Sequence, residues 1–194
     1  MIYPEIYPQT KALIFDLDGT LADSIPTHNY SWQQACNSFG YRYKEEMVAQ
    51  MTGMPTRVFA EYIKNDSGCS LSVEEIMKLK QDCFYQLAHH IKPFPKMAGF
   101  VKSNLNKISM SIGTGGGKRS AGLILQAIGM LGYFDFVVTA DDVTNHKPFP
   151  DTFLECARLM NVAPGFCQVF EDGNPGMEAA LKAGMMVTDA RKFY

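Results

Sequence analysis

Two carboxylates, Asp16 and Asp18, stand one residue apart at the end of Ala12-Leu13-Ile14-Phe15 and are followed by Gly19-Thr20-Leu21. An apolar run closed by an acid is the pattern of a buried strand whose last side chains meet water. If the backbone stays extended past Asp16, both carboxylates leave it on the same side. Paired acids repel unless a cation or a shared proton lies between them, and hard oxygen ligands beside a Gly-Thr turn suit Mg2+. An Asx turn at a strand end is the other structure this short motif admits. Further along, Thr114 precedes Gly115, Gly116 and Gly117. Free backbone N–H groups at a helix start there, with the Thr114 hydroxyl, could cradle a phosphate. The turn lacks the G-x-x-x-x-G-K-[ST] spacing of a Walker loop. Glu171-Asp172 is a second acid pair able to complete an oxygen cage for Mg2+. Lys147, in His146-Lys147-Pro148, offers the positive charge that phosphoryl transfer needs.

The elements that must position these groups alternate along the chain. Ala12 to Phe15, Ile108 to Ile112, Phe134 to Ala140, Cys167 to Phe170 and Met185 to Thr188 have the short apolar character of strands. Ala121 to Leu131, Pro150 to Met160 and Pro175 to Ala183 have helical spacing, the last closed by Gly184. Between residues 24 and 92 the pattern is helical throughout. One helix starts at a cap in Asp23-Ser24 and ends at Gly40; others run from Glu45 to Met51, Thr56 to Ile63 and Ser72 to Ile91, the last with a Ser72/Glu75 capping box. Pro93-Phe94-Pro95 stops that helix and serves as a second crossing between domains. The order predicts an α/β fold, a doubly wound Rossmann-like parallel sheet core of residues 1–23 and 94–194, with an inserted all-helical cap domain of residues 24–93. Ligands of such sheets sit beyond the carboxyl ends of the strands, where Asp16, Asp18, Thr114 and Glu171-Asp172 all fall.

Composition narrows the function classes. At 194 residues, 46% of them hydrophobic and 20% charged, the chain can bury a real core. A formal net charge of −2 with no Lys/Arg run gives no electrostatic case for nucleic acid. Five widely spaced cysteines without a C-x-x-C pair suggest neither a disulfide framework nor a zinc site and fit a reducing, cytoplasmic setting. The N-terminus lacks the regions of a signal peptide, and no run of about 18 apolar residues is present. The expectation is a cytoplasmic protein with a small phosphorylated metabolite as its partner, no nucleic acid, no membrane and no implied protein partner.

Together the D-x-D-G-T signature Asp16-Leu17-Asp18-Gly19-Thr20, the strand-end Thr114, the loop Lys147 before a proline and the acid pair Glu171-Asp172 resemble the haloacid dehalogenase superfamily of phosphohydrolases and phosphomutases. The helical insertion is similar to the cap of its beta-phosphoglucomutase-like subgroup. The resemblance implies that Asp16 is the nucleophile forming an aspartyl-phosphate and that Asp18 protonates the leaving oxygen and later activates water. It implies Mg2+ held by the Asp16 side chain, the Asp18 carbonyl and Asp172, with Glu171 direct or through water. Thr114, Gly115, Gly116 and Lys147 would then hold the phosphate.

The same resemblance marks residues of the cap as substrate contacts. His28 lies ten positions beyond Asp18, where beta-phosphoglucomutase-like proteins carry a histidine; a helix histidine without that role is the alternative. Gly53, Thr56 and Arg57 match the cap loop that reaches over the sugar, with Arg57 one residue further from the glycine than in the mutase pattern. Lys80 is a further substrate contact or a solvated helix residue. In chain length, in the Gly-x-Pro-Thr cap loop and in the Gly-Thr-Gly turn, the sequence is more similar to small bacterial fructose-1-phosphatase-like members than to the mutase. The implied activity is a Mg2+-dependent sugar phosphatase; a phosphomutase and a non-catalytic phosphometabolite sensor are the alternatives.

Overall fold

The computed structural model describes residues 3–44 and 55–194. Five parallel strands form one sheet: β1 (Ala12–Phe15), β2 (Ser109–Gly113), β3 (Phe136–Val138), β4 (Cys167–Glu171) and β5 (Met186–Asp189), in the order β3-β2-β1-β4-β5. Every pairing is parallel, with Phe15 opposite Ile112 on one side and Phe170 on the other. Among the described residues seven helices accompany the sheet: α1 (Ile25–Ser38), α2 (Thr56–Ser67), α3 (Val73–Leu87), α4 (Pro95–Asn104), α5 (Lys118–Ala127), α6 (Asp151–Leu159) and α7 (Asn174–Lys182).

Strand alternation divides the core in two. Leu13 and Phe15 of β1 face one side with Phe100 and Val101 of α4 and Ile124 and Leu125 of α5, while Ala12 and Ile14 face the other with Phe153 and Cys156 of α6 and Ala179 and Ala180 of α7. Central strands are buried on both faces because helices cover both, which is why β1 is apolar at all four positions. This is the predicted doubly wound sheet. A third cluster, of Trp32, Cys36, Phe59, Ala60, Ile63 and Ile76, closes α1, α2 and α3 over one another. Each large side chain buried there gains about 1.5–3 kcal/mol, so the helices of the insertion have a core of their own. The chain enters and leaves that insertion through paired segments: Asp23 N donates to Lys92 O and Phe94 N to Leu21 O, each at 2.9 Å, and Ala22 bridges Pro93 antiparallel.

Helix α4 is absent from the expectation, which takes Pro93-Phe94-Pro95 as a helix stop and a crossing between domains but not as a helix start. Pro95 is instead the first residue of α4, where its missing N–H would have had no partner in any case, and Phe94 is extended as a residue before proline must be. Met97, Ala98, Phe100 and Val101 give α4 its buried face. Other boundaries move less. Helix α2 runs past Ile63 to Ser67, α5 starts three residues early at Lys118, and β3 is trimmed to Phe136–Val138 because Thr139 caps a short 3-10 turn at Ala140–Asp142. The Ser72/Glu75 capping box is present as predicted. The predicted helix from Glu45 to Met51 lies outside the described residues. All five cysteines are unpaired. Among the described residues, no helix is long and apolar enough to cross a membrane.

Candidate active site

Register alone brings the first two acids together. Phe15 pairs with Phe170, and Asp16 N continues the ladder to Phe170 O at 2.9 Å, so Asp16 lies beside Glu171 on the neighbouring strand. Both sit on the face defined by Ala12, Ile14, Cys167 and Val169, beneath α6 and α7. Lys147, in the loop before α6, reaches between them: its Nζ donates to Asp16 Oδ1 at 2.6 Å and to Glu171 Oε2 at 3.3 Å, and lies 4.7 Å from the centre of the Phe153 ring. Its side chain is 0% exposed. Asp172 joins the group from the next position, accepting from Thr20 Oγ1 at 2.9 Å.

Asp16, Glu171 and Asp172 can each present an oxygen with all three within 4.8 Å of one another. Burial raises the Asp16 carboxyl above its ordinary value, against the pull of Lys147. Burial and the Asp16 charge raise Glu171 further, and the same two causes push Asp172 up to about 7. Burial pulls the Lys147 pKa down, but the charges of Asp16 and Glu171 outweigh it and keep the ammonium protonated. One cation thus faces three acids, an imbalance that a divalent ion with hard oxygen preference would remove.

The Asp18 carboxylate turns elsewhere. Its Oδ1 accepts from Ser24 Oγ at 2.6 Å and lies 2.9 Å from His28 Nε2, while Thr114 Oγ1 is 3.4 Å from Oδ2. The pair expected to share a cation is therefore split: Asp16 joins the acidic cluster and the Asp18 side chain faces the helical insertion. Lys80 Nζ sits 2.8 Å from His28 Nδ1. An ammonium can only donate, so Nδ1 must carry the lone pair and Nε2 the proton given to Asp18. His28 is accordingly the neutral link between Lys80 and Asp18, consistent with burial and the Lys80 charge holding its pKa down. Burial would raise Asp18, but the His28 ring, the Ser24 hydroxyl and the Lys80 charge take it to about 2. Lys80 itself is buried, 4.6 Å from the centre of the Phe84 ring, and burial lowers it to about 8. The solvated alternative for Lys80 is thereby excluded.

Thr114 and Gly115 are buried at the end of β2, and Gly116 N donates to Thr114 Oγ1 at 3.0 Å. The expected free helix start is only partly free: Lys118 N, at the beginning of α5, donates to Asp141 Oδ2 at 2.8 Å. A phosphate in this turn is left with the Thr114 hydroxyl and the N–H groups of Gly115 and Gly117, that of Gly116 being turned to Thr114 Oγ1. Thr56 opens α2, and Arg57 pairs with Glu74 at 2.7 Å and Glu61 at 3.8 Å on an exposed face. Neither is drawn into the cluster. Gly53 lies outside the described residues.

Residues 13–190 match the haloacid dehalogenase-like hydrolases as a family. The chain belongs to that family. It is 37% identical over 187 residues to the fructose-1-phosphate phosphatase YqaB of Escherichia coli, covering 96% of this chain and 99% of that one. To the beta-phosphoglucomutase of Bacillus subtilis it is 26% identical over 182 residues, covering 90% and 80% of the two. Among solved structures, a beta-phosphoglucomutase from Clostridium difficile superposes with a TM-score of 0.82 at 24% identity, over 93% of this chain and 84% of that one. Membership in the family agrees with the sheet order and with the resemblance read from the four motifs.

Two contributors, Ser24 and Gly176, escape the motif pattern, and a third, Gly19, stands inside it with a packing role that the motif does not announce. Ser24 stands at the N-cap of α1, yet its hydroxyl makes no cap bond and is spent on Asp18. Replacing it, Ser24→Ala, removes one hydrogen bond to an ionised carboxylate and raises the Asp18 pKa from about 2 by about one unit; a carbon-13 NMR titration of the aspartate carboxyls in the two proteins checks this. Gly19, at φ +87°, backs onto Asp172 so closely that a Cβ there would lie 2.4 Å from Oδ2. Gly176 of α7 leaves room for Glu171, a Cβ there lying 2.1 Å from Oε1. In an ordinary helix interior glycine-to-alanine gains stability. Here Gly176→Ala instead drives a buried carboxylate from its seat, an expected loss of about 2 kcal/mol and a Tm lower by roughly 4–8 °C in thermal melts.

Proposed function

We propose that this protein is a Mg2+-dependent phosphatase of a small sugar phosphate, of the fructose-1-phosphate type, working through an aspartyl-phosphate on Asp16. The observation that carries this is the buried Lys147 ammonium joined to both Asp16 and Glu171, themselves buried, with the partly buried Asp172 completing a group of three carboxylates at the strand ends. Similarity to a fructose-1-phosphate phosphatase over nearly both chains supports the substrate class.

The donor set fits Mg2+: carboxylate oxygens only, within 4.8 Å of one another and short of positive charge. Asp16, Glu171 and Asp172 would hold the ion with the Asp18 carbonyl, and when bound it neutralises phosphoryl oxygens and keeps Asp16 ionised. The chain's own residues do the rest. The Asp16 carboxylate attacks phosphorus, the ester oxygen leaves with a proton, and water then attacks the acyl phosphate to return Asp16 and free phosphate. Thr114, the Gly115 and Gly117 backbone and Lys147 orient the phosphoryl oxygens. Asp18, kept ionised by Ser24 and His28, is set as the base for the water step. For the first step its carboxylate must take up a proton, and neutral His28 is placed to relay one. Nε2–H, 2.9 Å away, passes to Asp18 as the Lys80 ammonium, 2.8 Å from Nδ1, gives a proton to that nitrogen and becomes the free amine.

Residues 24–93 act in this scheme as a cap, its α1 and α3 carrying His28 and Lys80 to the mouth of the site. A phosphomutase differs in letting a sugar rather than water attack the acyl phosphate. The test is phosphate release from a panel including fructose 1-phosphate and beta-glucose 1-phosphate, with and without Mg2+, while glucose 6-phosphate is followed. Metal-dependent release from one or a few esters is expected. Isomerisation without release means a mutase, and silence in both channels with retained ligand binding means a sensor.

A further inference from the structure

The aromatic end of the chain is folded against the catalytic loop in a way that the mechanism above does not use. The Tyr194 hydroxyl donates to the Gly19 carbonyl, 175 positions away in sequence. Its ring stacks on Phe94 with centroids 4.2 Å apart and planes 12° from parallel, and Lys96 Nζ donates to the Tyr194 main-chain oxygen at 2.7 Å. Phe94 is tied in turn to Leu21 O, and Gly19 N donates to Ala22 O at 2.9 Å. The phenol is thus held from two sides and has one polar target, the peptide of Gly19.

That peptide is the floor of Asp172. One oxygen of the Asp172 carboxylate rests against the Gly19 Cα, leaving no room for a Cβ, and the other accepts from Thr20 Oγ1 at 2.9 Å. Rotation of the Gly19–Thr20 peptide therefore moves both surfaces that orient Asp172.

We propose that Tyr194 is a positioning residue for the divalent-cation end of the site: its hydroxyl fixes the Gly19–Thr20 turn and through it the Asp172 carboxylate. The proposal rests on the metal assignment made above. The test compares wild type with Tyr194→Phe, which keeps the stack on Phe94 and deletes only the hydroxyl. Mn2+ binding is read directly by electron paramagnetic resonance, and deuterium uptake at residues 19–22 is read by mass spectrometry in metal-free protein. Loss of one hydrogen bond of ordinary strength predicts Mn2+ binding weaker by about three- to tenfold, with faster exchange at the turn. Activity falls by up to the same factor at limiting Mg2+ and is regained at saturating Mg2+. Unchanged Mn2+ affinity in Tyr194→Phe overturns the proposal, whether or not the melting temperature falls, since a merely structural contact would lower only the latter. Failure of wild type itself to bind Mn2+ strikes the metal assignment instead, and the proposal falls with it.

Discussion

Asp16→Asn lowers phosphate release by at least about 10^4-fold, the scale expected when the nucleophile of a covalent mechanism is removed. The fold survives the change. Asp16 and Glu171 are buried and share a single ammonium, with the partly buried Asp172 beside them, so the amide relieves repulsion on Glu171 and Asp172 even as it weakens the contact with Lys147. The expected melting temperature is therefore equal to or above that of wild type, and the variant still binds the substrate it cannot turn over. Trapping with fluoroberyllate separates the roles further: wild type forms the adduct and Asp16→Asn does not. Substantial turnover by the variant would remove Asp16 from the nucleophile's place.

Metal-free protein loses stability as the pH rises from about 4 to about 7, and Mg2+ reverses the loss. Asp172 has an ordinary value of 3.8 and is pushed up to about 7 by burial and the Asp16 charge. Between those values the folded chain holds a proton that the unfolded chain has released, so stability is fully present below pH 3.8 and is lost as the pH climbs through 7. Asp16 and Glu171, also raised, act in the same sense. His28 acts in the opposite sense up to its ordinary 6.5, because burial and Lys80 keep it neutral in the fold. The contribution of Asp18, depressed to about 2, is already complete above about pH 4. One proton across two pH units is worth about 2–3 kcal/mol, or roughly 5–10 °C in Tm between pH 5 and 7. Melts in a chelator at the two pH values measure it, with Asp172→Asn as the variant in which the Asp172 share is gone. Added Mg2+ stabilises by mass action and does so more at pH 7, where it no longer competes with protons. A chelated protein whose Tm rises over that range without Mg2+ would contradict the charge balance drawn for this site.

The sheet was legible because its signals are local. Short apolar runs ending in Asp16, Gly113 and Glu171 announce both the strands and the edge of the sheet where the chemistry gathers, and alternation with helices fixes the parallel topology. Strand register alone sets Asp16 beside Glu171, whereas Lys147 reaches them from a loop and Thr114 meets Asp18 instead. What escaped depends on choices that local sequence leaves open. Ser24 has the look of a helix cap, and only the approach of Asp18 from six residues upstream diverts its hydroxyl. Lys80 has the look of an exposed helix lysine among Lys78 and Gln81; that it is buried follows from Phe84 and His28, the latter 52 positions away. Asp141 fills a helix start that glycine spacing alone presents as vacant. Helix α4 was hidden by prolines that end one helix and begin another.

The paired crossings at residues 21–23 and 92–94 bear on how such a molecule can change over time. Because the two segments run side by side, hydrogen-bonded as neighbouring strands, the helical block departs from and returns to the sheet through a gate about 5 Å wide. Among the described residues its interior is closed around Trp32, Phe59 and Ile76 without borrowing side chains from the sheet. Its exit is anchored, Phe84, Ala88 and Ile91 packing into the core of the sheet. A block attached in that way is a cassette: another of different length or shape that keeps those three side chains can be spliced between the same two points, leaving Asp16, Lys147 and Glu171 in register.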